Sequence, residues 1–275
     1  MPAFPPHHLI RTTFLLATAL TFAPPAKAQL QPAVSALPIG ENYHIELMAG
    51  TWSPTPAMNV SSNAFGIAGT RINLTSDLGM TPDRFNDLRL RLRVARKHRF
   101  RIDYLPVNYA TETTSKRRLI FRGIAYEAGL PVSSRMTWTT WRFGYEYDVI
   151  HRRHGYFGLI LETKHTELHT GLSSPGNYEF IRAKGPVPAL GAVIRVYPLQ
   201  TLSLAAETTA FRLPNGLVDN YSGRYIDIDL YATINFIEAF GLQLGYRSLD
   251  LNLITSEDLA DLRLEGMYLG ALLRF

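Results

Sequence analysis

The 275-residue chain contains no cysteine. That excludes disulfides, thiolate metal ligands and a lipid-modified N-terminal cysteine, so stability has to come from closure and packing of the chain itself. Acidic residues are missing before Glu41, while the first 28 residues carry Arg11, an apolar run from Phe14 to Phe22, Pro24-Pro25 and the small-residue pattern Ala26-Lys27-Ala28. These are the three regions of a secretory signal peptide, and residues 1–28 are expected to be cleaved. Beyond them no stretch of 18 apolar residues occurs, which rules out a helical membrane span. A closed barrel is then the one structure with which this chain could cross a bilayer. A strong charge of one sign is lacking too: the formal net charge is +5 and becomes +3 once Arg11 and Lys27 leave with the signal. So small an excess gives no reason to expect a nucleic-acid partner.

What the sequence does have is alternation of period two, the pattern of strands whose faces meet different surroundings. Leu88, Leu90, Leu92 and Val94 alternate with Arg89, Arg91 and Arg93. Trp141, Phe143, Tyr145, Tyr147 and Val149 alternate with Arg142, Gly144, Glu146 and Asp148. Leu190, Ala192, Ile194 and Val196 do so with Gly191 and Arg195, and Ile226 to Phe236 with Asp227, Asp229, Tyr231, Thr233 and Asn235. Many such runs are longer than the five or six residues usual in soluble sheets. The chain also ends on one, with Met267, Leu269, Ala271, Leu273 and Phe275 on a single face.

The last segment, Met267 to Phe275, resembles the C-terminal strand by which bacterial outer-membrane proteins are selected by the barrel-assembly machinery. More loosely, the layout of Gly69 to Gly79, then His98 opening a strand, then Tyr145 to His151, resembles a large group of uncharacterised outer-membrane β-barrel proteins. The resemblance implies an all-β, antiparallel transmembrane barrel in the outer membrane of a Gram-negative cell, with Phe275 as assembly signal. Residues 29–42 are expected as a short periplasmic segment and 43–275 as the barrel.

Strands are expected at 44–52, 85–95, 99–109, 135–149, 154–168, 189–198, 201–213, 223–238, 240–253 and 262–275. Ten is an even number, as single-chain bacterial barrels require; strands at 70–75 and 118–126 would make twelve. Short turns near 96–98, 151–154, 198–201 and 238–241 alternate with longer polar stretches at 110–133, 169–188, 214–223 and 255–260, the short set assigned to the periplasm. Tyr43, Trp52, Tyr104, Tyr109, Trp138, Trp141, Tyr147, Tyr197, Tyr231 and Phe275 fall near strand ends, where interfacial girdles would put them.

The candidate lumen-lining residues are Arg89, Arg91, Arg93, Arg101, Arg142, Glu146, Asp148, Arg195, Asp227 and Asp229. Arg71, Arg99, Asp103, Glu162, Lys164, Glu207 and Arg247 share their inward parity. If the basic set on 85–102 faces the acids at 146–148 and 227–229, a salt-bridge network plugs the interior; otherwise the arginines line an anion passage. The plug is favoured, because unpaired charge in a narrow lumen is costly. No catalytic residue, metal or cofactor is assigned. His151 and His154 flank two arginines that would repel a cation, and nothing sets a nucleophile such as Ser203, with Glu207, beside His165. The expected function is therefore an outer-membrane barrel without evident chemistry, structural or porin-like for small solutes or anions, monomeric, with outer-membrane lipids and the assembly machinery as partners. The alternative is a lipid-modifying enzyme acting on lipopolysaccharide or phospholipid through His165 or His169.

Overall fold

Residues 38–218 and 221–275 are described by a computed structural model. The expected signal peptide and residues 29–37 lie outside the described residues. Among the described residues thirteen strands run in chain order: β1 (Ile45–Ser62), β2 (Ile72–Asn73), β3 (Phe85–Ala95), β4 (His98–Thr114), β5 (Leu119–Phe121), β6 (Ile124–Tyr126), β7 (Pro131–Arg152), β8 (Gly155–Ser174), β9 (Asn177–Leu199), β10 (Leu202–Val218), β11 (Tyr221–Ile237), β12 (Phe240–Ile254) and β13 (Asp258–Arg274). Ten long strands form one antiparallel sheet in the order β13-β12-β11-β10-β9-β8-β7-β4-β3-β1. β13 returns to β1 in an unbroken register from Glu46–Arg274 to Ser62–Asp258, which closes the barrel and removes both sheet edges.

The two segments that could have raised the count to twelve stay out of the wall. β2 pairs only with Asn59 and Val60 of β1, and β5 and β6 make a separate two-stranded hairpin. They form a cap instead. β3 pairs with β1 only from Ile45 to Trp52, so the far half of β1 is left without that neighbour, and residues 63–84 fold back there. Ile72, Leu74, Leu78 and Met80 of this segment, with Leu119 and Phe121 of the hairpin, are wholly buried against Met58, Val60, Val107, Met136 and Trp138. Arg117 clamps the cap by donating to both carboxylate oxygens of Asp77, at 3.1 and 2.6 Å.

The strands are longer than the sequence pattern suggested, and the expected long loops shrink accordingly. β8 and β9 continue through 169–188 and are joined at Pro175-Gly176; Gly176, at φ +87°, supplies the positive φ that the third position of a type II turn requires. At about 3.3 Å per residue the 22-residue β7 is about 70 Å long, well beyond what a bilayer crossing needs. In such extensions the pattern inverts: on β7 the inward Val132, Met136 and Trp138 are buried and apolar, while the outward Ser133, Arg135 and Thr137 are polar.

Outward side chains divide by height. Near the four short turns they are apolar on every strand, among them Leu47, Leu88, Phe100, Phe143, Leu161, Leu190, Leu204, Leu230, Leu244 and Leu269, all exposed. Toward the far end β7 changes outward from Trp141 to Thr139, Thr137, Arg135 and Ser133. Most of the aromatics expected in girdles turn inward: Trp52, Trp138, Tyr109, Tyr43, Tyr197 and Tyr231 are buried, whereas Trp141, Tyr147 and Phe275 face out. Position along a strand does not determine an aromatic's face; parity does.

Candidate functional site

The lumen has two layers. Its far half is the apolar cluster beneath the cap, and its turn-end half is a charged core. Ten basic side chains, Arg89, Arg91, Arg93, Arg99, Arg101, Arg142, Lys164, Arg195, Arg247 and Arg274, meet ten carboxylates, Glu41, Glu46, Asp87, Asp103, Glu146, Asp148, Glu162, Glu207, Asp227 and Asp229. All of the sequence-derived lumen candidates lie in this core. Arg71 does not: it is exposed and pairs with Asp261 at the far end.

Asp227 is shared by three cations. Arg142 Nη1, Lys164 Nζ and Arg247 Nη2 approach its Oδ2 at 3.1, 3.3 and 3.0 Å. Arg142 also reaches Glu162 at 2.9 Å and Asp103 at 3.3 Å, and Asp103 is bonded in turn by Arg91. Arg89 is held between Asp87 and Asp229, at 2.6 Å from each, with its guanidinium over the Tyr268 ring. Tyr268 donates to Asp229 at 2.9 Å and accepts from Gln243 at 2.7 Å. Its ring needs Gly245 beside it, where a Cβ would sit 2.4 Å from the ring.

Nearer the turns, Arg99 bonds Glu146 at 2.9 Å and Asp148 at 2.7 Å, and Arg101 joins Glu146 to Glu207. Tyr231 donates to Glu207 at 2.5 Å and accepts from Arg195 at 2.9 Å. Glu41 then completes the layer from outside the sheet. Residues 38–44 cross the turn end of the barrel, with Ile39 N–H donating to the Gln200 carbonyl and Gly40 N–H to Glu238. Gly40, at φ +83°, lies so near the Arg274 guanidinium that a Cβ would meet it at 2.5 Å. The Glu41 carboxylate takes a hydrogen bond from Arg195 at 3.2 Å and lies 3.8 and 4.0 Å from Arg93 and Arg99. Burial opposes its charge, but Arg195, Arg99 and Arg93, with a hydrogen bond from Tyr197, hold its pKa below the usual value.

Chemically this core can neutralise and hold, and it leaves little room to pass anything. A cavity of about 20 Å³ bordered by Arg99, Glu146, Arg195 and Glu207 has room for about one water. Sequence reasoning missed Glu41, Glu46, Asp87 and Arg274. Asp87 and Arg274 were legible as extensions of the parities of Arg89 and Leu272, but Glu41 had no strand pattern to place it.

Among the described residues the groups named for the catalytic alternative are not brought together. Ser203 and Glu207 face the lumen, while His165 and His169 lie on the outer face of β8, so the wall separates them. Glu167, between the two histidines on that face, is engaged by Arg182 and Lys184. Among the described residues no group of three His, Cys, Asp or Glu could hold a metal ion.

No protein-family model matches the chain, and no curated protein does. Among solved structures, the outer-membrane protease OmpT of Escherichia coli overlaps 87% of this chain and 99% of its own, with a TM-score of 0.54 and 6% identity. The Pseudomonas putida toluene transporter TodX and the Yersinia pestis attachment protein Ail cover 84% of this chain, and 90% and 99% of their own, at TM-scores of 0.37 and 0.35 and identities of 8% and 12%. The fold is that of an outer-membrane β-barrel, and at such identities the likeness extends to nothing finer.

Proposed function

We propose that the protein is an integral barrel of a Gram-negative outer membrane whose lumen is sealed and whose role is structural or adhesive at the surface, without conduction. One observation carries this: ten basic and ten acidic side chains fill the turn-end half of the lumen, and an apolar cap fills the other. A conducting passage needs a continuous water-filled route through the lumen. Here each buried charge is met by its opposite, and the remaining cross-section is packed with apolar side chains.

The apolar outer belt takes membrane lipid as its partner, with the short turns in the periplasm and the cap outside. The assembly machinery is the second partner, a reading supported by Phe275, which is outward and exposed at the end assigned to the periplasm, while its backbone pairs with His44 and Ile45. Full closure leaves no sheet edge at the β1–β13 seam for a second copy, in keeping with a monomer. The test is conductance of the purified, refolded protein in a planar bilayer, with heat-modifiable migration on a gel as proof of folding. Folded protein that inserts and stays electrically silent is the expected result; steady anion-selective channels would overturn the sealed lumen.

A further inference from the structure

Apart from Arg152 at the short-turn end, the outer face of β7, β8 and β9 carries its charge in one band, just beyond the apolar belt. Cross-strand register sets it out in rows: Arg135–Gly171–Phe180, Thr137–His169–Arg182, Thr139–Glu167–Lys184, and then Trp141–His165–Pro186, where the belt begins; two rows further the neighbours are Tyr145, Leu161 and Leu190. Arg135 makes no ion pair among the described residues, and Arg182 and Lys184 are half exposed and share the single carboxylate of Glu167. Above these rows is a groove of about 390 Å³ whose floor is kept open by Ala110, Ser133 and Gly171 and whose sides are Glu112, Arg135, His169 and the exposed ring of Tyr178. Counting Glu112 and Glu167 against Arg135, Arg182 and Lys184, the patch is net positive before either histidine is protonated. The opposite side of the barrel differs at this height. β1 presents Ser53, Thr55 and Ala57, and Arg263 of β13 is neutralised by Glu265 at 2.8 Å.

We infer that this patch is a docking site for the phosphorylated saccharide headgroup of a glycolipid in the surrounding membrane. Its acyl chains lie along Trp141, Leu161 and Leu190, its phosphates meet Arg135, Arg182 and Lys184, and its sugar occupies the groove against Tyr178. Three features select this occupant: continuity of the cations with the belt, which keeps the ligand's tails in hydrocarbon; cationic forks matched to phosphate; and a groove of small floor residues beside an aromatic ring, sized for a sugar. An anionic phospholipid satisfies the first two features and leaves the groove unused.

The inference rests on the membrane placement proposed above, and the experiment separates the two. Protein refolded in detergent micelles is checked for heat-modifiable migration, then titrated with purified lipid A and, separately, phosphatidylglycerol, and the retained lipid is read by native mass spectrometry. Wild type is expected to hold lipid A more tightly than phosphatidylglycerol. At about fivefold per cation near an anionic surface, the R135A/R182A/K184A variant loses on the order of a hundredfold, R135A alone about fivefold, and R263A nothing. Single R135A keeps the test usable if the triple variant does not fold. Folded protein that binds both lipids alike, that binds neither, or that is unchanged by R135A overturns the site. A chain that never folds as a barrel in micelles overturns the membrane reading itself.

Discussion

Asp227 serves three cations, and its neutralisation unbalances all three at once. Asp227→Asn keeps the shape but leaves Arg142, Lys164 and Arg247 short of a countercharge in a buried site. A loss of about 3–5 kcal/mol is expected, read as a lower urea midpoint for unfolding from detergent micelles. Glu41 gives a pH test. Its folded pKa is depressed, so its contribution is complete above the unfolded value of about 4.3 and is lost as pH falls through the folded one. Glu41→Gln removes that contribution at every pH, at a cost on the order of 2 kcal/mol near neutrality. Melting curves of wild type and Glu41→Gln are expected to differ at pH 7 and to converge only as the pH falls from the unfolded value through the depressed folded one; curves that stay parallel would show that the carboxylate is not what holds residues 38–44.

Among the elements, the cap and β9 depart furthest from ideal barrel strands. Leu74 is wholly buried under the hairpin of β5 and β6, and Leu74→Ala is expected to cost about 2–5 kcal/mol by leaving a cavity in a packed cluster. The loss would appear first as faster proteolysis between residues 63 and 84, because beyond the two-residue pairing of β2 with β1 and a few single backbone hydrogen bonds this segment is held by packing and the Asp77–Arg117 clamp. In β9, Pro186 and Pro188 have no N–H to give, and pairing with β10 stops at Leu190–Ala210 while pairing with β8 continues to Asn177. Strand positions near the turns were legible from alternation because lipid-like and polar surroundings alternate there. The far extensions were not, since beyond the belt a strand such as β8 has polar residues on its outer face whether or not it is paired.

At the scale of the whole molecule, the balance of ten basic and ten acidic lumen groups is what makes a silent bilayer recording the expected result. The same balance explains why so small a net charge says little about this chain: the charges are abundant, and many of them are internal. The sequence by itself determined the faces. Period two puts Arg89, Arg91, Asp227 and Asp229 on one side and Leu88, Leu90, Ile228 and Leu230 on the other, whatever their partners. Only the tertiary structure decided which charge meets which. Arg195 finds Glu41 from 154 residues away and Arg274 finds Glu46 from 228. Those pairings, like the folding of residues 63–84 into the lumen and not into its wall, follow from the curvature and register of the closed sheet, which no local pattern encodes.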